Sequence, residues 1–352
     1  MDMNHRERIL AAIRRQPVDR IPSDMWATPE VIDKLFKHFN VNSMVDLYDR
    51  LEIDGIFGIV PDYIGPKIEQ KDESIRYDEW GRGWKKQVYN TGIYEEQVVY
   101  PLENIDTLEG LESYQFPSPD WYDYSVLPAK AAQFPGRAIE CGYTALFYYH
   151  TMLRGLEGAM MDLALRPEFS MWLIQKLSDF FYEYHRRCYE AAKGLIDLTQ
   201  VTDDFGSQIG LLISPKAFEQ YFRAPMQRAI DLAKSYNILV FHHDDGDCRR
   251  LIPSLVEMGI DILNPIQWRC GNWDLDELKT SFGNRLAFHG GVDNQITLPR
   301  GTPDDVRREV RWLIQSLGRD HTGLIVAPCH NLQAVSPVEN IIALYEEVVH
   351  SG

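Results

Sequence analysis

The run Val240-Phe241-His242-His243-Asp244-Asp245-Gly246-Asp247 ends an apolar strand, which begins at Ile238, in two imidazoles and three carboxylates within six residues. Such side chains are too costly to bury unpaired, so their place directly off a buried strand requires a use. Metal binding and acid–base catalysis are the two chemistries that need this set of groups. Helix capping is the competing use, because Gly246-Asp247 precedes a helical pattern from Cys248 to Met258 and Asp is favoured at such a start. Capping employs one Asp and leaves both histidines without a role, so the run reads as a functional site.

Eight short strand-like segments surround and include this run: Ile21–Trp26, Gly55–Val60, Ala138–Tyr143, Leu198–Thr202, Ile238–His243, Ile262–Gln267, Leu286–Gly291 and Leu324–Pro328. Amphipathic helical patterns separate most of them, at Thr28–Phe39, Glu168–Lys193, Ser214–Ser235, Thr302–Leu317 and Ser336–His350. Ser214-Pro215, Thr302-Pro303 and Ser336-Pro337 each place a cap before a proline at the first helical position. Eightfold strand–helix alternation predicts an α/β fold, a (β/α)8 TIM barrel. The competing doubly wound sheet lacks support, since no Gly-x-Gly-x-x-Gly follows the first strand. The stretch 72–102 alternates polar and apolar residues around Gly81 and Asn90-Thr91-Gly92, which predicts an antiparallel hairpin inserted after the second strand. The absence of repeats and flexible linkers predicts one domain over residues 1–352.

Barrel enzymes place catalytic residues at the C-terminal ends of strands. Those ends carry Asp24 and Trp26, Asp62 and Tyr63, Tyr143, Asp203 and Asp204, His242 to Asp245, Asn264 and Gln267, His289 and Asp293, and Cys329-His330-Asn331. Titratable groups therefore gather on one face. Composition narrows the class further. The formal charge of −16 argues against nucleic acid, whose phosphates need clustered Lys and Arg. No apolar run approaches the roughly 20 residues of a membrane span. The polar start Met1–Arg8 does not read as a signal peptide. Five cysteines without paired spacing point to free thiols and a cytoplasmic location.

Six segments in order resemble the uroporphyrinogen decarboxylase superfamily. They are Arg15–Pro22, Leu51–Pro66, Glu140-Cys141-Gly142-Tyr143-Thr144 through Gly158, Asp204-Phe205-Gly206 with Ile213–Phe218, His289-Gly290-Gly291-Val292-Asp293, and His330 with Ser336–Asn340. The resemblance implies a functional aspartate at Asp62. True uroporphyrinogen decarboxylases hold an octacarboxylate with arginines around a signature like Met-Arg-Gln-Ala-Gly-Arg-Tyr. This chain has Met25-Trp26-Ala27-Thr28-Pro29-Glu30-Val31 there, without an arginine. That loss removes the charge-assisted pairs an octa-anion needs.

The superfamily's other large branch comprises zinc-dependent methyltransferases that work with corrinoid proteins. Its ligands follow a His-x-Cys-Gly motif after the fifth strand and a Cys after the eighth. Alignment on Gly246 puts His243 at the histidine and Asp245 at the cysteine, and counting back from Pro337 puts His330 at the second cysteine. The implied ligands are His243, Asp245 and His330, with Cys329 and His242 as neighbouring alternates. This harder set suits zinc, but also iron, manganese or nickel, and polarises a substrate oxygen better than two thiolates do. The expected activity is therefore transfer of a methyl group from a small methoxy-type donor to a corrinoid protein. A cofactor-free decarboxylase of the same superfamily, acting on a porphyrin-like or smaller carboxylate, is the alternative, and a non-catalytic tetrapyrrole or corrinoid sensor or carrier the third reading.

In the leading scheme Asp62, Asp204 or His289 orients substrate or delivers a proton. Trp26, Tyr63, Tyr143, Asn264, Gln267 and Asn331 line the substrate site. Blander roles exist for several: Asp62 as a turn residue, one of Asp203 and Asp204 as a cap, His289 as a satisfied inner-barrel histidine, and Cys329 as a buried thiol. Trp80 and Trp84, flanking Gly81, read as hairpin packing. The insertion and the superfamily's habits point to a homodimer.

Overall fold

The structure is a computed structural model that describes residues 3–89 and 92–352. Seven parallel strands pair in the order Ile56–Gly58, Ala138–Ala145, Leu198–Thr202, Leu239–His243, Ile262–Asn264, Ala287–Val292 and Leu324–Pro328. The last two are buried at every position, as expected of parallel strands covered on both faces. The sheet curls until both edges meet the segment Ile21–Asp24. Val326 N donates to Pro22 O and Asp24 N to Val326 O, while on the other side Gly55 N donates to Ser23 O. The result is a distorted (β/α)8 barrel whose first stave is an irregular segment rather than the regular strand expected over Ile21–Trp26. Pro22 explains part of this, because it has no N–H to give to a ladder.

The helices start close to where the sequence signals place them. Thr302 forms a reciprocal capping box with Asp305 before Pro303–Leu317, and Ser214 Oγ accepts from Ala217 N. The expected helix over Ser214–Ser235 is divided by a widened turn at Phe218–Phe222. The last helix begins at Val338 with Pro337 at its cap position, so Ser336 does not cap it. The helical pattern after the acidic run also starts late, at Ile252.

The insertion folds as three antiparallel strands, Arg76–Tyr77, Gly83–Tyr89 and Gly92–Val99. Asn90 and Thr91 of the expected turn lie outside the described residues. Trp80 departs from the expected hairpin packing. Its ring sits 4.9 Å from those of Tyr149 and Phe180 and 6.0 Å from that of Phe181, which joins the insertion to the helix Pro167–Ala191. Trp84 keeps a local role, donating from Nε1 to Asp78 at 3.0 Å. No described helix is long and apolar enough to cross a membrane.

A buried charge cluster fastens the N-terminal helix to the barrel. Asp54 accepts from Arg8 Nη1 at 2.6 Å, from Arg20 Nη1 at 2.8 Å and from Ser23 N at 3.2 Å, with His5 Nδ1 at 3.0 Å. Removing one member of a buried pair strands its partner, at a cost of about 3–5 kcal/mol. Asp54→Ala is therefore expected to lose about that much unfolding free energy in urea melts, while Arg223→Ala, on an exposed ion pair, stays within about 1 kcal/mol of the parent.

Candidate metal centre

His243 is the last residue of its strand, and its backbone is fastened on the side of the neighbouring strand Leu198–Thr202. Its N–H donates to Thr202 Oγ1 at 2.9 Å, and its carbonyl accepts from Asp203 N and from the Thr202 hydroxyl. Its imidazole is held from the opposite side. Nδ1–H donates to Asn264 Oδ1 at 2.6 Å, Asn264 Nδ2 donates to His289 Nδ1 at 2.7 Å, and His289 Nε2–H donates to Asp24 Oδ2 at 3.0 Å. Asp24, Asn264 and His289 are buried, and Trp26 covers the chain with its ring 5.5 Å from that of His243 and 6.0 Å from that of His289. The polarity of the chain puts the proton of His243 on Nδ1 and leaves the Nε2 lone pair facing the barrel mouth.

Two further donors share that space. Among the described residues, ligand atoms of His243, Asp245 and His330 all lie within 4.8 Å of one another. Asp245 Oδ1 is 3.8 Å from His243 Nε2, and its Oδ2 is 3.5 Å from His330 Nε2. These separations are long for hydrogen bonds. They are close to the roughly 3.3 Å edge of a tetrahedron drawn around a metal with bonds of about 2.0–2.1 Å. The donor set thus fits a divalent transition metal. The His243 side chain is 12% exposed, against 35% for Asp245 and 36% for His330, so the site is closed on the barrel side and open toward solvent.

The loop that carries Asp245 is shaped by its own backbone. Gly246 has φ +85°, and a Cβ there would meet the Ser207 backbone at 2.5 Å, so this close approach requires glycine. Gln267 clamps the same loop, accepting from Gly246 N at 2.6 Å and donating to Asp245 Oδ1 at 3.0 Å. Asp204 Oδ1 accepts from Asp245 N at 3.2 Å and lies 3.6 Å from His243 Nε2, which makes it the nearest further carboxylate. Burial raises the Asp245 carboxyl above its ordinary range, opposed by His243 and His330, and burial lowers His330. A bound cation would oppose the first effect and reinforce the second, favouring the carboxylate and the neutral imidazole alike.

Other expected site residues are distributed differently. Cys329 is buried with Sγ 3.4 Å from Ile266 O, outside the cluster, and His242 faces the barrel wall, with Nδ1 donating to Val201 O at 2.8 Å. Asp62 is exposed and ion-paired to Lys130 Nζ at 2.6 Å, and Tyr63 donates its hydroxyl to Pro66 O. Of the neighbouring Asp pair, Asp203 is the structural one, since it accepts from Phe147 N at 2.9 Å and Tyr148 N at 2.6 Å. Asn331 stands between His330 and Leu332, whose backbone bridges Ala27.

A cavity of about 830 Å³ opens on Asp245 and His330. Gln208, Gln267, Asn294, Gln295 and Gln333 contribute to its wall, and Arg300 is the one basic side chain among the described lining besides His330. A second recess, about 200 Å³, contains Tyr143 and Glu140. Glu140 accepts from Gln200 Nε2 at 2.7 Å, and burial pushes its carboxyl up to about 7. Glu140 and Trp80 were not among the expected functional residues, and Asp24 was expected at a strand end without a specific role. For Asp24 and Glu140 the available signal was a carboxylate within an otherwise apolar barrel segment.

A barrel with a candidate His/Asp/His metal cluster at its open end is an enzyme-like architecture. The uroporphyrinogen decarboxylase (URO-D) family pattern matches residues 142–351, and the chain belongs to that family. A solved methyltransferase from Methanosarcina mazei superposes with a TM-score of 0.68 at 17% identity, covering 99% of each chain, a likeness of fold. Xylanase B from Clostridium stercorarium F9 superposes with a TM-score of 0.38 at 14% identity, over 60% of this chain and 73% of the xylanase. No curated protein sequence matches the chain.

Two outcomes follow from this geometry. Asn264→Ala frees the His243 ring and should weaken metal binding about 10–100-fold in a chelator competition, the usual effect of losing a residue that orients a metal ligand. Glu140 binds its proton more tightly folded than unfolded, so its contribution to stability is complete below about pH 4.5 and is lost as pH rises through about 7. Glu140→Gln is expected to flatten the decline in Tm across that interval.

Proposed function

We propose that the protein is a metal-dependent methyltransferase that moves a methyl group from a small methylated donor, of methoxy or related type, to a corrinoid protein. The observation that supports it most is the convergence of His243, Asp245 and His330, with the His243 lone pair aimed by a buried hydrogen-bond chain. The likeness of fold to a methyltransferase over the whole chain agrees with it. Zinc or another divalent transition metal held by these residues supplies Lewis acidity toward the donor's oxygen.

The chain's own groups carry the remaining tasks. The Asp24–His289–Asn264 chain orients His243, so His289 acts here as a positioning residue. Gln267 fixes the Asp245 carboxylate by hydrogen bonding to it. Asp204, beside His243 and half exposed, orients the donor and is placed to pass a proton to the leaving oxygen. In the overall transfer the C–O bond breaks with its electron pair going to oxygen, which takes up a proton. The methyl acceptor would be the cobalt(I) of the partner's corrinoid, which would supply the electron pair of the new carbon–cobalt bond and be oxidised formally to cobalt(III). Asp62, paired with Lys130, stands outside this scheme.

In its porphyrin-like, octacarboxylate form, the decarboxylase alternative loses support at the large cavity. An octacarboxylate needs several cations, and Arg300 is the one arginine in the described lining. The test is metal content and methyl transfer measured together. Purified protein is expected to hold about one transition metal per chain, lost with transfer to reduced corrinoid in His243→Ala and Asp245→Ala, and restored to the chelated parent by added zinc. Protein without stoichiometric metal, or undiminished transfer by His243→Ala, would sink the proposal.

A further inference from the structure

The second recess has a chemical character of its own. Trp80, Tyr122, Tyr149, Phe180, Phe181 and Tyr184 build its walls, with Glu79 and Glu140 as its charged groups. The rings brace one another in tilted and edge-to-face contacts. Trp80–Tyr149, Trp80–Phe180, Tyr149–Phe181 and Tyr122–Tyr184 centroids are all 4.9 Å apart. No Lys, Arg or His belongs to the described lining. Arg82 lies 4.8 Å from the Tyr149 ring centroid but outside the lining, and it is paired to Asp78 at 2.8 Å.

Both carboxylates keep acceptor capacity. Glu79 Oε1 receives the Tyr122 hydroxyl at 3.1 Å, and Glu140 Oε1 receives Gln200 Nε2, while no described donor reaches Glu140 Oε2. A carboxylate enclosed by rings without a counter-cation is unfavourable, and the elevated Glu140 carboxyl reports that cost. Aromatic faces carry negative potential, so rings and carboxylates together attract the same kind of guest. The floor is open as well, since a Cβ on Gly58 would meet nothing within 4 Å.

We propose that this recess is a binding site for a small organic cation, the alkylammonium group of a ligand. Its volume of about 200 Å³ is below the roughly 300 Å³ at which whole-ligand pockets begin, so it takes a head group. Tyr143 belongs to its wall and lies in the field of Asp204, the carboxylate beside His243. A substrate whose ammonium end sat here would have to extend past Tyr143 to reach the metal cluster. Its role as a substrate subsite rests on the methyl-transfer reading, whereas the cation site itself does not.

Calorimetry with tetramethylammonium, choline and the neutral choline isostere 3,3-dimethyl-1-butanol tests this, on both metal-free and zinc-loaded protein. Tetramethylammonium and choline are expected to bind saturably in both forms, and the isostere at least about tenfold more weakly than choline. Glu140→Gln and Gly58→Val should each lower choline affinity at least about tenfold, with melting temperature at pH 5 and metal content retained. Equal affinity for choline and its isostere, or no saturable binding of either cation, overturns the proposal. Choline binding of the expected kind without any methyl transfer supports the cation site and overturns the methyl-transfer reading. Transfer from a neutral methoxy donor by protein that does not bind choline does the reverse.

Discussion

Asp24 Oδ2 can only accept from His289 Nε2, and that one constraint sets the direction of every hydrogen bond as far as His243. Were the Asn264 amide reversed, its oxygen would face His289 Nδ1, which would then carry the proton and leave a bare nitrogen against the Asp24 carboxylate. A buried lone-pair contact of that kind is strongly unfavourable. The chain thus has one internally consistent polarity, and it ends with the His243 lone pair pointing outward. It also spans the barrel, because Asp24 sits on the closing segment, while His289, Asn264 and His243 come from three successive staves. Ligand orientation therefore depends on barrel closure, which the backbone bonds of Pro22 and Asp24 to Val326 and of Gly55 to Ser23 make and which brings Asp24 to His289.

That arrangement divides the open end of the barrel in two. Around Asp245 and His330 the cavity is large and lined by side-chain amides. Around Glu140 it is small, aromatic and anionic. Tyr143 belongs to the wall of the second and Asp204 stands beside His243, and the net charge of −16 makes the whole molecule a favourable environment for cations. The insertion contributes to the second region through Trp80, so the segment that interrupts the barrel pattern also builds part of its mouth.

Much of this was legible from local pattern. Strand–helix alternation gave the barrel, and two strands, Leu198–Thr202 and Leu324–Pro328, begin and end where the pattern places them. Proline and polar caps marked Pro303–Leu317 because those signals act within one helical turn. The first stave was harder, since its bonds go to Val326 and Gly55, residues no local pattern connects to it. Cys329 and His330 show the same limit at a single position. Adjacent residues leaving a strand point to different sides, and the backbone path after Pro328 sends the thiol to Ile266 O and the imidazole to Asp245.

By itself the sequence determined which groups were available, a His–x–Asp–Gly run off one strand and a histidine after the last, because covalent order sets spacing within a strand and its loop. Family resemblance already grouped His243, Asp245 and His330, and tertiary structure decided which of the other groups meet. It paired Asp62 with Lys130 at the surface, turned His289 from a proton donor candidate into a link in the chain to Asp24, and gathered Trp80, Phe180 and Glu140 from three distant segments. Contacts across the barrel depend on how far the sheet curls and where it closes, and those are properties of the whole packed chain rather than of any stretch within it.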